Sequence, residues 1–119
     1  MFRRIWSSGS DNDSDDAAFR RRFRESALWR TRRAGLLRNV CIALGNVADR
    51  RSVPALTGAL NDPEPLVRGH AAWALGRLGG TSAAAALEEA LSREADAWVR
   101  DECGLALQAY GPRAVRSAV

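Results

Sequence analysis

One pattern occurs three times in this chain and limits its fold more than any single motif. Leu66 to Leu78 reads LVRGHAAWALGRL. Moved back by one repeat, Ala74-Leu75-Gly76 falls on Ala43-Leu44-Gly45; moved forward by one, Val67-Arg68 falls on Val99-Arg100 and Leu75 on Leu107. In the central copy Val67, Ala71, Ala74, Leu75 and Leu78 recur at spacings of three and four, so a helix places them on one face that has to be buried. Asn61-Asp62-Pro63 supplies a start, with a capping oxygen and then a proline whose missing N–H costs nothing there, and Gly79-Gly80 supplies a stop. Second helices lie between the copies at matching offsets, with Val53, Leu56 and Leu60 in one and Ala84, Leu87 and Leu91 in the other. The chain reads as a tandem array in which each repeat is two helices and a turn.

A length of 119 residues allows one domain with a modest core, and without strand-like alternation that domain is expected to be all-helical. No apolar run approaches the roughly 20 residues that span a bilayer, so no membrane partner is expected. Met1 to Trp6, followed by Ser7-Ser8-Gly9-Ser10, lacks the apolar core of about 7–15 residues that a secretory signal needs, which points to the cytoplasm. Cys41 and Cys103 fall at inward-facing positions of different repeats, form no CxxC or Cys/His cluster, and read as small core residues; no metal site is expected.

Charge is distributed unevenly. All 18 basic residues are arginine, and the formal balance is +4. Arginine's planar fork suits phosphate, although the codon bias of a GC-rich genome explains the missing lysines more simply. Between Arg20 and Arg38 stand eight arginines against one acid, Glu25, whereas residues 39–119 hold eight arginines against nine acids. Phe19, Phe23 and Trp29 are interleaved with the basic residues. Guanidinium groups beside aromatic rings are what phosphate tracking and base stacking require; an acidic protein partner is the other reading.

Three regions follow. Residues 1–16 join an apolar-basic start to SSGSDNDSDD, which has no apolar residue to bury, and read as a disordered leader. Residues 17–34 read as a basic amphipathic helix and linker, and residues 35–119 as the repeat domain. Its first helix is expected over Gly35 to Asn46, burying Leu36, Leu37, Val40, Cys41 and Leu44. Asp49 to Ser52 turns the chain, and Pro54 is tolerated in the first turn of the next helix. Thr81-Ser82 opens an alanine-rich helix ending near Leu91, and a last helix runs from Ala95-Asp96 to Tyr110, stopped by Gly111-Pro112. About two and a half repeats result, where solenoids usually need three, so the array is expected to be marginal unless the Phe19 to Trp29 helix or a partner covers an end.

Within the array, Asn39, His70 and Glu102 share one register and are expected to bond to backbone at a neighbouring turn. His70, Trp73 and Arg77 form a second stripe, readable either as a stacking and cation–π surface or as packing between repeats. No nucleophile has a base beside it, no glycine-rich phosphate loop is present, and Glu88-Glu89 and Asp101-Glu102 read as solvated faces, so no catalytic residue is assigned.

Arg33 to Asn46, RAGLLRNVCIALGN, together with Val53-Pro54-Ala55-Leu56 and Pro65 to Gly76, PLVRGHAAWALG, resembles the C-terminal HEAT-like repeat region of epoxyqueuosine reductase. The similarity covers about Phe19 to Leu107. It implies an all-α fold, a short α-solenoid of HEAT-like (PBS-lyase-type) repeats with an N-terminal helix. In that family the full enzyme reduces epoxyqueuosine to queuosine at the wobble position of certain transfer RNAs, using cobalamin and two iron–sulfur clusters. The ligands for those cofactors have no counterpart here, so none is expected in this chain. The resemblance implies a transfer-RNA-binding module that works with a separate catalytic region. Arg30, Arg32, Arg33 and Arg38 are then the expected phosphate contacts, with Asn39 beside them and Arg20, Arg21, Arg22 and Arg24 reinforcing that surface. A protein-interaction scaffold, or a truncated remnant without independent function, is the alternative.

Overall fold

The structure is a computed structural model that describes the backbone of residues 12–118 and the side chains of residues 15–109. Most of the expected leader, residues 1–11, lies outside the described residues. Five α-helices follow one another: α1 (Asn12–Val47), α2 (Val53–Ala59), α3 (Pro65–Leu78), α4 (Thr81–Arg93) and α5 (Ala97–Ala118), with a 3-10 turn at Arg50–Ser52 before α2. The described residues contain no strand. The chain divides into two units, Met1–Arg33 and Ala34–Val119.

In the first unit the helix already includes residues 12–16, the end of the segment expected to be disordered. Acidic side chains favour a helix N-terminus, and Asp16 pairs with Arg20 one turn on at 2.9 Å. The expected linker before Gly35 is absent as well, since α1 is continuous to Val47. Nothing in Thr31-Arg32-Arg33-Ala34 breaks a helix, and the single Gly35 costs only about 1 kcal/mol.

In the second unit, α3 is the centre of the core. Val67, Ala71, Ala74, Leu75 and Leu78 are all buried, as their spacing demands. All but Val67 join Cys41, Leu56, Leu60, Ala83, Leu87, Ala90, Val99, Cys103 and Ala106 in one cluster. The start of α3 is displaced from the expected one. Pro65, not Pro63, takes the first turn, and the Asp62 carboxylate accepts from the Glu64 N–H at 3.0 Å. Gly79 and Gly80 end the helix at φ values of 79° and 99°. Side chains rarely adopt that conformation, so the pair can turn the chain where other residues would be strained.

Two further expectations need correction. In the first helix Cys41 is buried and Leu44 packs on the core, but Leu36 and Val40 are exposed, because no repeat within this unit lies on that side of α1. At the other end α5 passes through Gly111-Pro112 to Ala118. A proline removes one backbone donor, which weakens a helix without always ending it.

Candidate nucleic-acid interface

The basic part of α1 belongs to the first unit. Phe19 and Phe23 meet one turn apart with ring centroids at 6.4 Å, and Thr31 Oγ1 donates to the Ala27 carbonyl at 2.9 Å, so local contacts support the helix. Little of it is buried. Phe19 is 53% exposed, Phe23 61% and Trp29 60%. Arg20, Arg21, Arg24, Arg30 and Arg32 are exposed, while Arg22 and Arg33 are half-buried and engaged in other interactions. Spacing around the helix separates Arg20 and Arg24 from Arg21 and Arg32, and both pairs from Arg30 and Arg33. The arginines therefore surround α1 instead of lining one amphipathic stripe, and guanidinium groups and aromatic faces are available together on more than one side.

Arg38 and Asn39 lie in the second unit, where Arg38 Nε donates to Asn39 Oδ1 at 3.2 Å. Asn39 is exposed and touches its neighbour in sequence, not the turn of another repeat. His70 likewise bonds within its own helix, with Nδ1 2.8 Å from the Leu66 carbonyl, and its ring lies 5.5 Å from that of Trp98. Trp73 turns the other way. A Cβ on Gly45 would stand 2.6 Å from the Trp73 ring, and the Arg77 guanidinium lies 5.5 Å from the same ring while its Nε donates to the Gly45 carbonyl at 3.3 Å. The expected stripe is thus split. Trp73 and Arg77 join two repeats, His70 joins Trp98, and Trp73 is half-buried in packing and is not an open stacking platform.

Further connections between repeats rest on residues to which motif reading gave no role. Arg68 forks onto Glu94, Nε to Oε1 and Nη2 to Oε2 both at 2.9 Å, while its Nη1 donates to the Asp62 and Pro63 carbonyls at 2.9 and 3.1 Å. The Arg68 guanidinium holds the Glu94 carboxyl below its ordinary range, helped by the Asp96 N–H. Arg100, at the position of Arg68 in the next repeat, makes the same kind of loop contact by donating to the Leu91 and Glu94 carbonyls. Arg50 Nε donates to the Leu78 carbonyl at 3.3 Å. Only the recurrence of Val-Arg at positions 67–68 and 99–100 hinted at this ladder. Trp98, which lies over Gly69, had no sequence signal beyond the small residue it covers.

A groove of about 360 Å³ opens between α3 and α5, lined by Trp73, Gly76, Arg77, Glu102, Leu105, Ala106 and Ala109. Leu105 and Ala109 occupy the positions of Trp73 and Arg77 one repeat later. The side chains that fill the equivalent space over Gly45 are thus replaced by smaller ones, and the groove results. Burial pushes the Cys41 and Cys103 thiols up, and nearby carboxylates add to it, so both stay protonated near neutrality. Two such buried thiols on separate helices do not fit the cysteine sets that iron–sulfur clusters require. Among the described residues no three His, Cys, Asp or Glu side chains are grouped to hold a metal ion, and no helix is long and apolar enough to cross a membrane.

The HEAT repeats family model matches residues 25–108. Epoxyqueuosine reductase of Bacillus cereus is 39% identical over 84 residues, covering 70% of this chain and 22% of that protein. The Listeria monocytogenes protein of the same name is 41% identical over 87 residues, covering 71% and 23%. A deoxyhypusine hydroxylase of Arabidopsis thaliana is 39% identical over 75 residues, 61% of this chain and 24% of the hydroxylase. A crystal structure of selenomethionine-labelled epoxyqueuosine reductase superposes with a TM-score of 0.58 at 37% identity, over 60% of this chain and 20% of that one. The chain spans between a fifth and a quarter of the length of these relatives. It belongs to the HEAT-repeat family, and the region it shares with the reductases is a partial, HEAT-like one.

Proposed function

We propose that this HEAT-repeat chain is a non-catalytic RNA-holding module of an epoxyqueuosine reductase system, presenting a transfer RNA to a catalytic region it does not itself contain. The observation that carries the reading is the basic part of α1. Five exposed arginines stand beside three aromatic rings that are each more than half exposed. Full burial of a large apolar side chain is worth about 1.5–3 kcal/mol, and rings left 53–61% exposed forgo roughly half of that, so a surface that stacks on them is favoured. Phosphates are drawn by the same segment, where Arg20, Arg21, Arg24, Arg30 and Arg32 reach solvent. Similarity to epoxyqueuosine reductases supports RNA over another polyanion.

A second reading is a protein-interaction scaffold, favoured by the open groove beside Trp73. Fluorescence anisotropy separates the two. The chain is titrated into a labelled anticodon stem–loop and into a scrambled hairpin. Salt-sensitive binding that favours the stem–loop is expected. Equal affinity for both hairpins would reduce the reading to a general polyanion surface, and no binding by folded protein would move the assignment to the scaffold.

A further inference from the structure

The spaces over Gly45 and Gly76 are built from equivalent positions and filled differently. Over Gly45 lies the Trp73 ring, and Arg77 Nε donates to the Gly45 carbonyl at 3.3 Å. One repeat later Leu105 stands in place of Trp73 and Ala109 in place of Arg77, and the groove of about 360 Å³ is what they leave. Both of its walls, α3 and α5, are present in the array, so the opening comes from side-chain size and not from a missing repeat.

Charge changes together with size. Ala109 removes a cation, and Glu102 brings a carboxylate to the register that His70 holds one repeat earlier. Glu102 is half-buried and forms no ion pair among the described residues. The Gly76 carbonyl stands where the Gly45 carbonyl does, in the last turn of its helix, but without the arginine, and the Gly79 N–H goes to the Leu75 carbonyl instead. Carbonyls of a last turn lack intrahelical partners and carry the negative end of the helix dipole. Arg77, on the rim, is directed to the preceding repeat, where its guanidinium lies 5.5 Å from the Trp73 ring and its Nε bonds to Gly45.

We infer that this groove receives an arginine side chain of a partner protein, in the place that Arg77 takes over Gly45. The aliphatic stem lies along Leu105 and Ala106, covering a leucine that is 59% exposed in the single chain. The guanidinium donates to the Gly76 carbonyl and to the Glu102 carboxylate. A planar fork with five donors serves two such acceptors at once, which a lysine ammonium on its flexible stem does less well. This site involves α3 and α5 alone and is independent of whether α1 holds RNA.

Nuclear magnetic resonance of the isotope-labelled full chain tests the site. The probe is arginine blocked at both ends, N-acetyl-arginine methylamide, with the norleucine equivalent as the uncharged control. Shifts are followed at the Trp73 indole N–H and at the Glu102, Leu105 and Ala106 amides. Saturable shifts with a dissociation constant of about 1–10 mM are expected for arginine and not for norleucine. Glu102→Gln, which keeps the shape and removes the charge, is expected to weaken binding about threefold or more. Leu105→Trp/Ala109→Arg supplies the filling of the Gly45 space within the chain; it is expected to abolish the shifts and to raise the melting temperature. No shifts at about 50 mM arginine probe, or equal shifts with norleucine, would overturn the inference. So would a Glu102→Gln chain that binds as the parent does, or binding that survives Leu105→Trp/Ala109→Arg.

Discussion

Gly76 and Ala106 meet nearly backbone to backbone: a Cβ on the glycine would lie 2.9 Å from the Ala106 Cβ and 3.1 Å from its Cα. Gly45 and Ala74 repeat the relationship one repeat earlier, at 3.1 Å to the Ala74 Cα. Spacing between repeats is thus set by a glycine on one helix and an alanine on the next.

Gly76→Ala opposes two effects. Helix propensity gains about 1 kcal/mol, while overpacking against backbone that cannot rotate away costs about 1–3 kcal/mol. Net destabilisation of about 1 kcal/mol is expected. Gly104, in α5, has nothing within 4 Å of the same virtual atom, so Gly104→Ala is expected to stabilise by up to about 1 kcal/mol. Thermal melts of the two variants should therefore move in opposite directions.

Glu94 links stability to pH. Its pKa in the folded chain is below the ordinary 4.5, chiefly because of the Arg68 hydrogen bonds. A carboxylate with a depressed folded pKa contributes fully above its unfolded value and loses that contribution as pH falls through the folded one. The melting temperature is expected to hold from neutrality to about pH 5 and then to fall, and Glu94→Gln should flatten part of that fall. The Arg68 and Glu94 side chains are only 18% and 7% exposed, so Glu94→Gln should also cost about 2 kcal/mol at neutral pH. A neutral-pH melt indistinguishable from that of the parent chain would show that the fork contributes nothing.

Ala48, just after α1, has φ of 57°, and its N–H bonds back to the Leu44 carbonyl at 3.0 Å. This is the left-handed cap position that glycine fills without steric cost. Ala48→Gly relieves about 1–2 kcal/mol of strain and adds back about 0.5–1 kcal/mol of chain entropy. A small rise in melting temperature is expected, and a fall would mean that the alanine methyl packs usefully.

Local periodicity carried the array a long way. The face formed by Val67, Ala71, Ala74, Leu75 and Leu78 was legible because helical spacing is a property of nearby residues, and Gly79-Gly80 marked its end for the same reason. Leu36 and Val40 look the same in sequence as Val67 and Ala71. Their exposure depends on which neighbour is present, which no local pattern records. Pro63 and Pro65 are equivalent starts on paper; the hydrogen bond from the Glu64 N–H to Asp62 decides between them. His70, Trp73 and Arg77 were visible as a stripe. That Trp73 would cover Gly45 and His70 meet Trp98 depends on contacts between neighbouring repeats, where side-chain size and not periodicity selects the partner. The basic segment was read from composition, which records neither that its arginines surround α1 nor what binds there.

RNA binding through the arginines of α1 is the central claim, and the salt dependence of that binding tests it most directly. The dissociation constant for an anticodon stem–loop is measured across a range of salt concentrations for the parent chain and for Arg24→Ala/Arg30→Ala/Arg32→Ala, three of the exposed arginines. Every phosphate that the variant no longer engages should flatten the slope of log K against log salt by about 0.7–0.9, with affinity for all RNAs reduced alike. A triple variant that binds with the parent's affinity and slope would contradict the account.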